Sequence, residues 1–477
     1  MALISPSNLL SLHYASGAQT AALDASPSGR CRYGDGETGE QPFDIPDPAL
    51  FSDNKTVDRG PESLPTISEC AIHLEMLEAF HTLRYEVIQS PQLDVAFDIS
   101  PNPTTKYRVK RGTVRSQNYQ LETVSIRDLH FTDRRKQKWT YFLHIATTRF
   151  HEWIRLVENH LVKAQLGSPL PRYLLLPPLD VLVIWHAFLL NCDDFKEYCA
   201  FHNLDHVQKI EFPWSDIHAA VDPNSWKYSL PKEHHNWLLS THQIQEDLVK
   251  ELSEEGSQPG LIRNLLHAFY EPRARFRSSD TSQLAQTLRK ARQTQELNTP
   301  LVSNVERQCV FIDKMHAHRW IRSPAVTGTL RRAIDRYDNF LHLFRHYPNQ
   351  FLVPTLDIDL VWHTHQCSAA GYRAVVTKRV GRFINHEDKI GRGTLDDGFT
   401  CAEQCYKLQY GEQYQVCLCW SCEAILSAVE DLDEDAFDDP DPQIGNLVTN
   451  IERRVHYYRE LEIARKLGRE MPIWNHT

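Results

Sequence analysis

Pro354-Thr-Leu356-Asp357-Ile-Asp359-Leu-Val-Trp362-His363-Thr-His365 sets how the chain is organised, because its pattern already stands 177 residues earlier as Pro177-Pro-Leu179-Asp180-Val-Leu182-Val-Ile-Trp185-His186-Ala-Phe188. The register runs on to the aromatic pair Phe195 and Tyr372. Upstream, Phe150, Trp153, Ile154, Leu156 and Val157 correspond to Tyr337, Phe340, Leu341, Leu343 and Phe344 once a longer connection is allowed in the first copy. Each copy reads as helix, short loop with proline, helix. Proline cannot continue a preceding helix but is tolerated at the start of the next. Asp180 and Asp357 then stand where a carboxylate can accept orphan backbone N–H groups at the positive end of the helix dipole. Trp185 and Trp362, five residues on, are expected as buried anchors between paired helices. The fold class expected is mainly α: a two-repeat helical core of helix–Pro loop–helix units with a Leu-Asp-x4-Trp-His element, plus irregular segments.

Bulk properties bound the function. At 477 residues, with 41% hydrophobic and 24% charged residues, the chain can fold into two or three domains or subdomains. Its net charge of −10 gives no global attraction to phosphate backbones, so a nucleic-acid partner is not expected. The densest basic patch, Lys106-Tyr-Arg-Val-Lys110-Arg111 with Arg134-Arg135-Lys136, reads as a charged, solvated loop. No apolar run reaches the ~18 to 20 residues that span a bilayer, since Asp180 and His186 interrupt the longest, Leu179 to Leu190. The first residues, Met1 to Leu12, carry no basic n-region. A cytoplasmic location is expected, with the nucleus left open, and the eleven cysteines are then reduced thiols or metal ligands.

Four segments follow from composition. Residues 1–67, rich in Ser, Gly, Pro and Asp, are expected as a disordered leader. Residues 68–255 form the first repeat half, opening on an amphipathic helix through Ile72, Met76, Phe80, Leu83 and Val87 that ends before Pro91. Pro91 to Asp133 is irregular or a short hairpin. Helices are expected at 139–162, 180–198, 214–221 and 237–252. Residues 256–429 form the second half with a Cys-rich element, and helices are expected at 282–295, 303–318, 328–346 and 357–377. Residues 430–477 comprise an acidic linker, 430–443, and a terminal helix whose stripe of Ile444, Leu447, Val448, Ile451, Val455, Tyr458 and Leu461 either docks on the chain or, over 444–466, binds a protein partner.

The second copy carries polar residues beyond what a scaffold needs. Asp359 and His363 are spaced i, i+4 on one helical face, suited to chelating a metal, to an acid–base pair, or to a buried brace between helices. His365 lies about 200° round the helix from His363 and falls outside that site. The first copy has Leu182 and Phe188 where the second has Asp359 and His365, so only His186 remains there. Asn385-His386-Glu-Asp388-Lys389 could add His386 and Asp388 to Asp359 and His363, or be a plain loop. A second candidate metal site is Cys417-Leu-Cys419-Trp-Ser-Cys422 with Cys405, Cys401 or His386 as fourth ligand, a thiolate set suited to zinc. Buried free thiols are the alternative. Cys309 near His316 and His318 gives only a lone thiol–imidazole match. No phosphate-binding loop, nucleophile elbow or H-E-x-x-H helix occurs.

The stretch Val353-Pro-Thr-Leu-Asp-Ile-Asp359-Leu-Val-Trp362-His363-Thr-His365-Gln resembles the signature of the glycine-rich domain-containing protein-like family, formerly a domain of unknown function. Pro177 to His186 is similar to its first-repeat counterpart. Glu69 to Phe80, Phe212 to Ala220, Arg307 to Met315, Trp320 to Pro324, Gly328 to Arg332, and Tyr410 to Tyr414 leading into Cys417, Cys419, Trp420 and Cys422 resemble the fungal branch. The resemblance covers roughly residues 68–425 and implies no settled activity. It associates plant relatives with stress responses and development, some with glycine-rich or RNA-binding-like tails. This chain has 19 glycines and an acidic linker with a helix in place of such a tail. Three functional expectations result. The first is an intracellular helical scaffold or regulatory protein, stabilised by zinc. The alternative is a metal-dependent tailoring enzyme of fungal metabolism with Asp359 and His363 as catalytic residues. An RNA-binding stress-related protein comes third.

Overall fold

A computed structural model describes residues 63–473, apart from 103, 111–119, 127, 166–175, 243, 256–282, 387–390 and 431–439. The leader expected over 1–67 therefore lies almost wholly outside the described residues, as does most of the acidic linker.

The fold is mainly α. In chain order the helices are α1 (Ile67–Gln89) and α2 (Pro91–Ala96), followed by a hairpin of β1 (Thr104–Lys110) and β2 (Gln120–Ile126). Next come α3 (Phe131–Gln165), α4 (Leu179–Leu189), α5 (Cys192–His202), α6 (Trp214–Ala220), α7 (Lys232–His242), α8 (Leu248–Glu255) and α9 (Gln283–Gln293). The rest are α10 (Gln295–His318), α11 (Val326–His346), α12 (Leu356–Cys367), α13 (Ala369–Val380), α14 (Arg392–Tyr410), α15 (Trp420–Glu430) and α16 (Pro440–Leu467). The hairpin is antiparallel, with Thr104 opposite Ile126 and Lys110 opposite Gln120. It settles the choice left open for Pro91 to Asp133. The basic run Lys106 to Lys110 is strand rather than loop.

Two units emerge. Among the described residues, one comprises 63–79, Leu189–Lys227 and 310–473; the other comprises Phe80–Phe188 and Tyr228–Cys309. They interleave along the chain. In the second unit α3 packs on α9 and α2 on α8. Ser90 caps α2, its hydroxyl accepting from Leu93 N–H. The buried Lys138 ammonium lies 2.5 Å from Asp94 and donates to the Ser90 carbonyl at 3.0 Å, which compensates its charge. In the same unit Arg134 and Arg135 are tied to Asp128 and Asp94.

In the first unit α11 is the hub, contacting α12, α13, α14 and α15, while α16 packs on α15. Ile451, Val455, Leu461 and Ala464 of α16 are buried, so this part of the stripe docks on the chain itself. The helix begins at Pro440, a few residues inside the segment expected as linker. Among the described residues no helix is long and apolar enough to cross a membrane.

Local features of the two aligned segments can be set side by side. Each segment expected as one helix, 180–198 and 357–377, is broken at the same register position. Asn191, between α4 and α5, has φ −103° and ψ 68°, and Ser368, between α12 and α13, has φ −95° and ψ 72°. Both are polar residues whose ψ leaves the helical range, so the next turn starts in a new direction. Trp153 packs on Trp185 with ring centroids 5.3 Å apart, and Phe340 packs on Trp362 at 5.7 Å. Phe150 meets Phe188 edge-on at 6.1 Å, and Tyr337 meets His365 edge-on at 5.9 Å. Asp180 and Asp357 have a partner that the dipole argument did not supply. Arg149 Nε donates to Asp180 Oδ2 at 2.7 Å, and Arg336 Nε donates to Asp357 Oδ2 at 2.7 Å.

Candidate metal centre

Asp359 and His363 project from successive turns of α12, as their i, i+4 spacing requires. His386 arrives from the segment after α13, which stops at Gly381 in the left-handed conformation (φ 86°) that glycine adopts without strain. A chain of hydrogen bonds holds that segment. Trp362 Nε1 donates to the Tyr372 hydroxyl at 2.8 Å, and this hydroxyl donates to the Ile384 carbonyl at 2.6 Å. Two residues later His386 stands edge-on to Trp362, centroids 5.0 Å apart. On its other side, His363 is held by the edge-on ring of Phe311 at 4.5 Å.

Three donor atoms converge. His363 Nε2 and His386 Nε2 are 3.1 Å apart, and Asp359 Oδ1 lies 3.3 Å from the first and 3.5 Å from the second. The two carboxylate distances are long for hydrogen bonds, which run about 2.7 to 3.2 Å. All three fit the edges of a metal polyhedron, since donors about 2.1 Å from a tetrahedral ion lie about 3.4 Å from one another. Asp359 Oδ1 is buried, and no hydrogen bond of ordinary geometry satisfies it. An uncompensated buried carboxylate oxygen is costly, and a cation placed between the three atoms would remove that cost.

The electrostatics agree. Burial works to raise the Asp359 pKa, but the imidazoles of His363 and His386 and the Lys314 ammonium outweigh it, and the net shift is downward. The carboxylate is thus held in its ligating form. Side-chain exposure is 2% for His363, 13% for His386 and 23% for Asp359, so solvent reaches the group from the carboxylate side.

The other sequence candidates fall elsewhere. Asp388 lies outside the described residues. His365 faces away, its Nδ1 3.0 Å from the Tyr337 hydroxyl and its ring edge-on to Tyr372. Cys417, Cys419 and Cys422 form a second group of three, with sulfurs within 4.8 Å of one another. Cys405 stands apart from it on α14, hydrogen-bonded to Cys401 one turn earlier. Residue spacing along α12 pointed to Asp359 and His363. Nothing local pointed to Phe311 or to Tyr372 as the residues that position the imidazoles, because both act through tertiary contacts.

Comparison with known proteins adds a family. Residues 232–374 match the family model described as glycine-rich domain-containing protein-like. That span of the chain is thus similar to the glycine-rich domain-containing protein-like domain. The resemblance read from Val353 to Gln366 is thereby borne out. The matched span includes Asp359 and His363 and ends before His386. Glycine-rich domain-containing protein 1 of Arabidopsis thaliana is 28% identical over 297 residues, covering 58% of this chain and 30% of that protein. Glycine-rich domain-containing protein 2 of the same plant is 36% identical over 93 residues, covering 18% of this chain and 12% of that protein. The chain thus spans less than a third of the curated relatives' length. No solved structure matches.

Proposed function

We propose that this chain is a metal-dependent enzyme whose centre is Asp359, His363 and His386. The observation that carries this reading is the convergence of one carboxylate oxygen and two imidazole Nε2 atoms at 3.1, 3.3 and 3.5 Å. Two histidines and one carboxylate suit Zn²⁺ or Fe²⁺ and leave coordination positions open, the feature that separates catalytic from structural sites. A metal held there would supply Lewis acidity and an activated water, or dioxygen chemistry if it is iron. Of the residues themselves, Asp359 contributes negative charge at the solvent-facing side. His363, packed against Phe311, supplies a fixed nitrogen, and Tyr372 aims His386 through the Ile384 carbonyl.

The regulatory-scaffold reading has one observation in its favour: His363 is 2% exposed, like a bracing core residue. In that case the Asp359–His363–His386 cluster joins α12 to the segment after α13 without metal.

Metal-free full-length protein titrated with Zn²⁺, Mn²⁺ and, anaerobically, Fe²⁺ separates the two. The enzyme reading expects one equivalent bound in the native chain and not in His363→Ala or Asp359→Ala. Metal-dependent turnover should then appear in a panel of esters, amides and phosphoesters, or as oxygen uptake with Fe²⁺. Native protein that binds no metal at this cluster leaves the scaffold reading standing.

A further inference from the structure

Three cysteines outside the proposed centre lie where α15 begins. Cys417 and Cys419 precede the helix and are half-buried, while Cys422 is buried in its first turn. Their sulfurs lie within 4.8 Å of one another. The Glu423 N–H donates to the Cys419 carbonyl at 3.0 Å, and the Cys422 N–H donates to the Cys419 sulfur. Backbone N–H groups aimed at a sulfur from the first turn of a helix stabilise a thiolate. Three thiolates with sulfurs this close together would repel one another. A cation resolves that conflict.

The nearest candidate for a fourth donor is His318 at the end of α10, whose ring nitrogens do not lie within 4.8 Å of all three sulfurs. Two indoles lock the end of α10 to this loop reciprocally: Trp320 Nε1 donates to the Leu418 carbonyl at 2.9 Å, and Trp420 Nε1 donates to the His318 carbonyl at 2.7 Å. The His318 carbonyl is thereby tied to Trp420 and the Leu418 carbonyl to Trp320, which holds the two segments side by side. The His318 imidazole is half-buried beside the Trp320 ring, centroids 5.2 Å apart, and within electrostatic reach of Cys417.

We propose that Cys417, Cys419 and Cys422 hold a zinc ion whose fourth ligand is His318, so that the metal joins the C-terminus of α10 to the N-terminus of α15. This is a closed set of three thiolates and one imidazole, the composition of structural rather than catalytic zinc. Binding releases the three S–H protons and leaves the group with a net charge of −1. On binding the sulfurs close in slightly, since thiolates about 2.3 Å from a tetrahedral zinc lie about 3.8 Å apart, and the His318 imidazole swings in to complete the set. Cys405 is not needed, being paired with Cys401 on α14. The proposal is independent of the Asp359 centre, whose donors contain no sulfur.

The test replaces zinc by Co²⁺ in the reduced full-length chain under anaerobic conditions. A thiolate-to-cobalt charge-transfer band with intense tetrahedral d–d bands is expected, and it persists in His363→Ala. His318→Ala should shift the d–d bands and weaken cobalt binding at least tenfold, while Cys405→Ser leaves both unchanged. Absence of the charge-transfer band in native protein overturns the site without reliance on any variant. An unchanged spectrum and affinity in His318→Ala overturns the fourth ligand. Loss of the band in Cys405→Ser, with the helical circular dichroism intact, overturns it in favour of Cys405.

Discussion

Arg336 holds Asp357 through Nε at 2.7 Å, and the same guanidinium donates to the Tyr414 carbonyl at 2.7 Å. Asp357 is buried, the Arg336 side chain is 12% exposed, and Asp357 opens the helix that carries Asp359 and His363. The ion pair therefore sets where α12 starts, and through it the position of the proposed centre. Removing one partner of a buried pair strands the other charge, at a cost of about 3 to 5 kcal/mol. Arg336→Ala should destabilise the chain by that order in chemical denaturation, and Arg149→Ala, which strands Asp180, should do the same. A cost under about 1 kcal/mol for either would show that the pair is not what anchors its repeat helix.

Tyr372 tests how His386 is aimed. Tyr372→Phe removes the donor to the Ile384 carbonyl and the acceptor of the Trp362 indole while keeping the ring in the core. Groups that orient a metal ligand without touching the metal typically contribute 10- to 100-fold in affinity. A loss of that size in competitive metal titration is expected, with little change in helical content. Unaltered affinity would mean that the loop places His386 without this hydroxyl.

His365 gives the pH dependence. Burial, reinforced by the nearby Arg379, pushes its pKa down to about 3, against about 6.5 in an unfolded chain. The folded state thus binds fewer protons than the unfolded state between these values, and stability rises with pH there. The contribution is complete above about pH 6.5 and is lost as pH falls towards 3, on the order of 5 kcal/mol in all. His365→Phe, the residue that Phe188 already is in the first copy, should flatten stability against pH over that window. Equal slopes for native chain and variant would contradict the assignment.

Gly328 marks where α11 meets α15. A Cβ there would run into the Ser427 hydroxyl. Gly328→Ala should cost about 1 to 3 kcal/mol by overpacking, and Ser427→Gly in the same chain should recover part of it. Thermal unfolding of the two single variants and the double variant checks this, and full additivity would rule out the contact.

The helices were legible because apolar spacing survives in one dimension, and so was the i, i+4 pair Asp359 and His363 on one face of α12. The breaks at Asn191 and Ser368 were not, because the apolar residues run on through both and only the backbone angles change. The aspartates of the repeat looked like helix caps. That Arg149 and Arg336 claim them could not be seen, since each arginine sits on the preceding helix among many other charges. His386 could be suspected from its neighbourhood, but its arrival at His363 depends on a tertiary hydrogen-bond chain through Trp362 and Tyr372. The thiol cluster was visible as spacing, whereas the tie between its loop and the end of α10, made by the Trp320 and Trp420 indoles, is a tertiary contact that spacing does not show.

The most direct test of the proposed centre is elemental mass spectrometry on full-length protein purified without a metal-binding tag, set against His363→Ala and Cys419→Ser. The enzyme reading predicts two near-stoichiometric metals in the native chain if the thiol site is also filled, of which one disappears in His363→Ala while the other survives. Native protein whose metal content is unchanged by His363→Ala would contradict the claim that Asp359, His363 and His386 form a metal centre.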